Sequence, residues 1–389
     1  MAKLLITGAT LIDGTGAPPR ARAAVLVDGD RIAAVGGAGD IDRGGAELID
    51  LAGKWLLPGL VSAHEHFSMK GFRGKYYDQH RKDDRLQSLR MAQAAWQTLR
   101  EGVTTARDCG AHGMINLLLR QAVAEGIASG PRIVTSGQNI VPRYDAPGVE
   151  PTGMTREAGD GDEVERIARD LVAEGVDFIK VKAFRSSFTG HGSRNFTAAE
   201  MKRAFDVAHA AGRRGACHAY TGQEVRDALE AGADNIEHAL FAQSDLEAID
   251  EMAKHGTYFT PCPTSWGNSR HGTPERRADH RVTVKRAIEK GVKVAPGCDL
   301  YAESVVDDLT LFAELGLPIA RAIEAGTRIA AEAADRAGDV GTVAAGKLAD
   351  LIAIDADPLR DLGALRRPAW IMKDGVVELG VDRSVAAAR

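Results

Sequence analysis

The chain has 389 residues, 44% of them apolar and 26% charged, and its net charge of −5 argues against nucleic acid as a partner. The length predicts one large domain and one small one, and no run of about 18 apolar residues suggests a membrane span. Four cysteines and a start without a signal-peptide pattern predict a cytoplasmic, reducing location and no disulfide framework.

Short apolar segments separated by turn residues fill both ends of the chain. Strands are predicted at 4–7, 24–27, 32–35 and 47–51, with Asp28-Gly29-Asp30 as a hairpin turn. The same texture returns near the C-terminus, with a strand at 351–354 and a hairpin around Lys373-Asp374-Gly375. We therefore predict that residues 1–57 and 336–389 form one small β-sandwich domain, with residues 58–335 inserted between its two parts. The tail from residue 384 is expected to fray.

The middle of the chain alternates short apolar strands with amphipathic helices. We predict strands at 60–64, 103–107, 131–135, 177–182, 214–218, 235–238, 257–260 and 293–296. Helices are predicted near 84–101, 113–126, 160–174, 197–211, 222–231, 244–255 and 277–290, and many of them end on a glycine, the expected C-terminal cap. Eight such units predict an α/β fold of the (β/α)8 TIM-barrel type, because a doubly wound sheet seldom runs so far. Residues 141–159 are interpreted as a long loop, and 70–85 as a lid or surface loop.

Polar side chains close several of the predicted barrel strands. His64 and His66 lie two apart at the end of the first strand, so they point to the same side. Later strand ends carry Lys180 and Lys182, His218, His238 and Asp299. Because the carboxyl ends of barrel strands meet at one face, and imidazole is a common metal ligand, this set predicts a metal site. Glu237 precedes a ligand on its strand and is predicted to face outward, and the four cysteines are predicted to pack in the core.

The order His-x-His, Lys, His, His, Asp along the strands resembles that of the metal-dependent amidohydrolase superfamily. Pro58-Gly59-Leu60-Val61-Ser62-Ala63-His64-Glu65-His66 matches its first signature, and Gly346-Lys347-Leu348-Ala349-Asp350-Leu351 matches its return into the β domain. Gly102-Val103-Thr104-Thr105-Ala106-Arg107-Asp108 and Ile236-Glu237-His238-Ala239 are similar to the imidazolonepropionase-like branch, which includes prolidase-type dipeptidases.

The resemblance implies two divalent ions, with zinc as the default and manganese, iron or cobalt suited to the same ligands. His64, His66 and Asp299 would hold one ion, and His218 and His238 the other. A carbamate formed from CO₂ on Lys180 would bridge the two ions. Lys180 matches the family's motif, and Lys182, two residues further on, is the alternative. Asp299 would carry a proton from the water shared by the ions to the leaving amine.

The predicted reaction is hydrolysis of a C–N amide bond in a dipeptide, an N-acyl amino acid or a cyclic amide. Hydrolysis of a lactone, carbamate or organophosphate ester on the same binuclear site is the alternative, together with deamination of a ring, against which Lys180 argues. A scaffold protein without metal would be expected to have lost some of the six candidate ligands, and none of them is lost in this sequence. Candidate substrate contacts are Arg143, Tyr144, Lys182, His191 and Tyr220, with Arg185 as a further loop candidate. The expected partners are a small-molecule substrate and further copies of the chain.

Overall fold

The computed structural model describes residues 3–37, 39–69, 84–143, 153–184, 194–268, 272–300 and 304–380. The predicted lid at 70–85 lies outside this part of the chain except for its last two residues, which begin a helix. The predicted fraying of the tail also concerns residues outside it.

The described strands, in chain order, are β1 (Lys3–Thr7), β2 (Thr10–Leu11), β3 (Ala23–Asp28), β4 (Arg31–Gly37), β5 (Glu47–Asp50), β6 (Trp55–Pro58), β7 (Leu60–Glu65), β8 (Val103–Asp108), β9 (Arg132–Thr135), β10 (Asn139–Pro142), β11 (Thr155–Ala158), β12 (Phe178–Lys182), β13 (Arg214–Ala219), β14 (Asn235–His238), β15 (Tyr258–Thr260), β16 (Lys293–Val294), β17 (Leu351–Ile354), β18 (Trp370–Lys373) and β19 (Val376–Leu379).

The described α-helices are α1 (Asp84–Arg100), α2 (Ile115–Ala124), α3 (Gly161–Ala173), α4 (Ala198–Ala210), α5 (Gly222–Glu230), α6 (Leu246–His255), α7 (Pro263–Asn268), α8 (Pro274–Glu289), α9 (Val305–Glu314), α10 (Ile319–Glu324) and α11 (Ala330–Ala333). A π-helical turn, Ala325–Ile329, joins α10 to α11. Short 3₁₀ turns lie at His112–Met114, Ala242–Ser244 and Leu362–Arg366. No helix in the described ranges combines the length and the apolar character needed to cross a membrane.

Both ends of the chain contribute to two small β-sheets. One sheet has the strand order β4-β3-β1-β5 and the other β19-β18-β17-β6-β2. Strand β17 pairs antiparallel with β6, placing Ile352 opposite Leu57. Ile6, Val25 and Trp370 belong to one buried apolar cluster, so the two ends share a core as predicted. The domain boundaries at 57/58 and 335/336 stay predictions.

Eight parallel strands form the predicted barrel. Strands β7, β8 and β9 pair in that order, and β12 to β16 pair in sequence. Hydrogen bonds join the two groups at both edges: Asp177 N donates to Thr135 O at 2.7 Å, and Ala63 N donates to Pro296 O at 2.9 Å. The helices between these strands surround the sheet. The (β/α)8 prediction is therefore confirmed.

The crossing from the small domain into the barrel depends on a glycine. Gly59 separates β6 from β7, and a Cβ atom placed there would lie 2.1 Å from Thr104 Oγ1. A larger residue would push β7 away from β8, which pair along Leu60–Glu65. The Pro-Gly before the His-x-His pair therefore has a steric role at the foot of the strand that carries both histidines.

The prediction of a single loop over 141–159 is wrong. Strands β10 and β11 fall within or next to this segment and pair in parallel, with Ile140 opposite Arg156, while β10 also contacts β12. Strand β11, with the sequence Thr-Arg-Glu-Ala, has no apolar run, so the sequence offered no strand signal there. Helices α7, α9, α10 and α11 were also not predicted, although α9 begins with a Ser304 capping box.

Candidate metal centre

The end of β7 places two histidines beside an aspartate. All six residues of β7 are buried, and His64 Nε2 and His66 Nε2 lie 3.3 Å apart. Asp299 Oδ1 lies 3.6 Å from each of these two nitrogen atoms. The backbone fixes this arrangement, because Asp299 N donates to His64 O at 2.9 Å. The three side chains that the sequence assigned to one ion are thus brought together, and they form one of three groups in the described chain that could hold a metal ion.

The other ring nitrogen of each histidine lies close to an oxygen atom, and for His66 the contact is a hydrogen bond. His66 Nδ1 lies 2.8 Å from Gly110 O, and a carbonyl oxygen only accepts, so Nδ1 of this ring carries the hydrogen. His64 Nδ1 lies 2.8 Å from Glu237 Oε2, and an ionised carboxylate also only accepts. In the neutral ring of His66, Nε2 is therefore left with a lone pair, and the nearby carboxylate favours the same tautomer for His64.

Glu237 lies inside the barrel, so the prediction that it faces outward is wrong. Its side chain is fully buried, and it contacts His64, Arg107 and Lys180. Alternation along β14 directs Asn235 and Glu237 inward together. His238 then also reaches the mouth because its backbone leaves the strand conformation, with φ of 72°. The available sequence signal was the pair of polar residues Asn235 and Glu237, which share one face of the strand on either side of Ile236.

His218 and His238 lie next to one another at the ends of β13 and β14. Their ring centroids are 4.4 Å apart, and the His238 ring is 4.9 Å from that of His64. Trp266 Nε1 donates to His238 Nδ1 at 3.0 Å, a contact that uses the lone pair of that nitrogen. His238 can therefore offer Nδ1 to an ion only when the indole turns away. Trp266 was not identified from the sequence.

The two lysines of β12 lie at different depths. Lys180 pairs in register with Ala216, whereas Lys182 pairs with His218 at the mouth and is only half-buried. The Lys180 side chain is 1% exposed, and its Nζ lies against Glu237 Oε2. Burial lowers the pKa of Lys180 to about 8, which increases the neutral amine fraction that can react with CO₂.

Burial also sets the charge of the remaining site residues. It lowers the pKa of His66 to about 3 and holds the pKa values of His64, His218 and His238 well below their usual range. These rings are therefore neutral at pH 7, the form that binds metals. Burial raises the pKa of Asp299 to about 7, so this carboxyl can exchange a proton near neutral pH.

The predicted substrate contacts are dispersed. Tyr220 is buried beside the site, with ring centroids 4.6 Å from both His218 and Phe184. Arg143 is exposed and forms an ion pair with Glu163. Two of the other candidates, Tyr144 and His191, lie outside the described residues, as does Arg185.

The cysteines are buried, as predicted, and two of them approach the site. Cys262 lies within ligand distance of His64 and His238, and Cys109 within that of His64 and Glu237. Burial raises the pKa of both thiols, so they are protonated in the absence of a cation. This favours the packing role that the sequence suggested.

Comparisons with known proteins identify the family and the fold. The model of the amidohydrolase family matches residues 55–385. The chain is 25% identical to ochratoxinase of Aspergillus niger over 414 residues, covering 94% of this chain and 83% of that protein. It is 26% identical over 376 residues to imidazolonepropionase of Micrococcus luteus, covering 86% and 88% of the two chains. The solved structure of a Xaa-Pro dipeptidase with bound methionine matches with a TM-score of 0.86 and 27% identity, over 97% of this chain and all of the other.

The fold, the strand-end residues and the family match over most of the chain all agree with the resemblance found in the sequence. The chain belongs to the amidohydrolase family and is a hydrolase of the class that acts on carbon–nitrogen bonds.

Proposed function

We propose that this enzyme is a metal-dependent hydrolase of an amide bond in a small molecule, with a dipeptide, an N-acyl amino acid or a cyclic amide as substrate. The observation that carries the proposal is the meeting of three electron-pair donors. His64 Nε2 and His66 Nε2 lie 3.3 Å apart, and both lie 3.6 Å from Asp299 Oδ1.

These donors fit a cation. Both imidazoles are neutral, and the bond to Gly110 leaves the lone pair of His66 on Nε2. The same tautomer is proposed for His64, and Asp299 is an anion above its pKa of about 7. Such atoms repel one another in a buried site, and a divalent ion converts the repulsion into attraction. Two imidazoles and a carboxylate are common zinc ligands, which supports zinc as the default ion.

The remaining predicted ligands support a second ion. His218 and His238 would hold it after the contact between His238 and Trp266 has been exchanged, and a carbamate on Lys180 would link the two ions. The depth of Lys180 and its pKa, lowered to about 8, favour this role over Lys182, which lies at the mouth and is assigned to the substrate. Bound ions would activate the attacking water and polarise the amide carbonyl.

The proton transfers belong to Asp299. A carboxylate with a pKa near neutrality can accept a proton from the attacking water and return it to the departing amine. The backbone bond from Asp299 N to His64 O holds this carboxylate beside the histidines during both transfers. Tyr220 and Phe184 provide an aromatic wall beside His218 against which an apolar part of the substrate could pack. The names of similar proteins, a dipeptidase among them, support an amide substrate.

The test combines elemental analysis with a substrate panel. Protein produced with added zinc is expected to carry close to two divalent ions per chain. The metal-replete enzyme is expected to hydrolyse members of a panel of dipeptides, N-acyl amino acids and cyclic amides faster than matched lactones and phosphotriesters. A reproducible value of zero ions would refute metal catalysis, and a value of one would refute the bridging carbamate. A clear preference for the esters would refute the amide assignment alone.

A further inference from the structure

Glu237 connects the candidate ligand His64 to a buried arginine. Its Oε2 lies 2.8 Å from His64 Nδ1, and its Oε1 lies 2.6 Å from a terminal nitrogen of Arg107. Asn235 Nδ2 also donates to Oε1, at 3.3 Å. All of these side chains are buried inside the barrel.

Arg107 is itself held in a fixed position. Its Nε donates to Ala63 O at 2.7 Å, and a terminal nitrogen donates to Ala333 O at 3.4 Å. The guanidinium also lies over the ring of Phe178, with 4.9 Å between its central carbon and the ring centroid. Because Ala63 immediately precedes His64, the same guanidinium holds the backbone of β7 and the carboxylate that contacts the ring of His64.

We infer that Glu237, anchored by Arg107, is a positioning residue that keeps the proton of His64 on Nδ1 and its lone pair on Nε2, toward His66 and Asp299. This inference rests on the proposed metal site. Metal-bound histidines commonly donate their second ring N–H to a carboxylate, which fixes the tautomer and the orientation of the ring. For His66 the carbonyl of Gly110 has the same role, but it is part of the backbone, whereas Glu237 can be changed by mutation.

The contacts predict what an isosteric change would do. In Glu237→Gln the amide oxygen is expected to face Arg107 and Asn235, because a guanidinium and an amide NH₂ offer only donors there. The amide NH₂ then faces His64 Nδ1 and Lys180 Nζ, and it can donate to His64 Nδ1. This contact favours the opposite tautomer, in which Nε2 carries the hydrogen and cannot bind a metal.

The experiment measures metal affinity and tautomer separately from activity. Competition with a chromophoric chelator should show that Glu237→Gln binds one of its zinc ions about 10- to 100-fold more weakly than the parent enzyme, the usual effect of losing such a partner. In metal-free protein labelled with ¹⁵N-histidine, the His64 signals, assigned by their loss in His64→Asn, should show Nδ1–H in the parent and Nε2–H in the variant.

Glu324→Gln is the matched control. Glu324 is also a buried glutamate paired with arginine, at 2.6 Å from Arg328, and it belongs to α10, outside the candidate site. It should lose stability without a change in metal affinity. If Glu237→Gln does not fold, the double variant Arg107→Met with Glu237→Met removes both buried charges together and should show the same loss of affinity.

Several outcomes would overturn the inference. Parental affinity for both ions in a folded Glu237 variant would do so, as would an Nε2–H tautomer of His64 in the parent protein. If the parent enzyme binds no metal, the proposed function fails, but the tautomer measurement still decides whether Glu237 orients His64. The two ideas are therefore tested independently.

Discussion

Asp299→Asn is expected to reduce turnover strongly while leaving the fold intact. The substitution preserves the size of the side chain and the backbone bond from residue 299 to His64 O at 2.9 Å. What it removes is the anionic oxygen that lies 3.6 Å from both His64 Nε2 and His66 Nε2. An amide nitrogen has no lone pair available to accept a proton at neutral pH, so the group proposed to move the proton is lost.

The magnitude follows from the role. General acid–base catalysis by a positioned side chain contributes about 10²- to 10⁴-fold, equivalent to about 2.7–5.5 kcal/mol of barrier height. The side chain is 5% exposed, and in the metal-free protein burial raises its pKa to about 7, so the carboxylate form is present above neutral pH. We therefore expect kcat to fall by about 10² or more.

The assay must separate proton transfer from metal loss. Metal content and kcat are measured on the same preparation, with zinc in excess, on the best amide substrate of the panel. The acidic limb of the pH–rate profile should also disappear in the variant. A folded, metal-replete Asp299→Asn enzyme with kcat within about tenfold of the parent would refute the reasoning, because another residue would then have to move the proton.

Three further predictions concern the lysines, the indole and pH. Lys180→Ala should lose metal and recover part of its activity when a short carboxylic acid and excess zinc are added. Lys182→Ala should keep its metal and show a raised KM. The reverse result would exchange the roles of the two lysines. Trp266→Phe removes the hydrogen-bond donor to His238 Nδ1. The second ion should then bind about 2- to 10-fold more tightly, a change equivalent to one hydrogen bond. Unchanged metal affinity in a chelator competition would contradict this prediction. The pKa of His66 is lowered to about 3 in the folded protein, whereas the imidazole of the unfolded chain takes up a proton below about pH 6.5. As the pH falls from about 6.5 to about 3, the unfolded state therefore binds a proton that the folded state does not, and the free energy of unfolding decreases. Buried carboxyls with raised pKa values stabilise the fold as the pH falls, so the effect of His66 is isolated by comparing the metal-free parent with His66→Gln. The thermal midpoint of the parent should fall more steeply with decreasing pH than that of the variant. Thermal midpoints that change in parallel with pH would contradict the prediction.

The sequence by itself determined the order of the eight barrel strands, seven of the helices and most of the candidate ligands. Apolar runs of a few residues and glycines after helices are local signals, and they located all eight barrel strands to within a few residues. His64, His66, His218, His238 and Asp299 could be grouped because the carboxyl ends of parallel barrel strands share one face. That inference required only the position of each residue along its strand.

Only the tertiary structure decided which side chains face one another across the barrel. Arg107 and Glu237 are 130 positions apart, and barrel closure rather than local pattern brings them together. The φ of 72° at His238 lets adjacent residues both reach the interior, which a rule of strict alternation forbids. The pairing of Trp266 with His238 and that of β10 with β11 likewise depend on contacts between segments. Periodicity assigns a residue to a face only within a regular strand, whereas the partners on that face are set by packing.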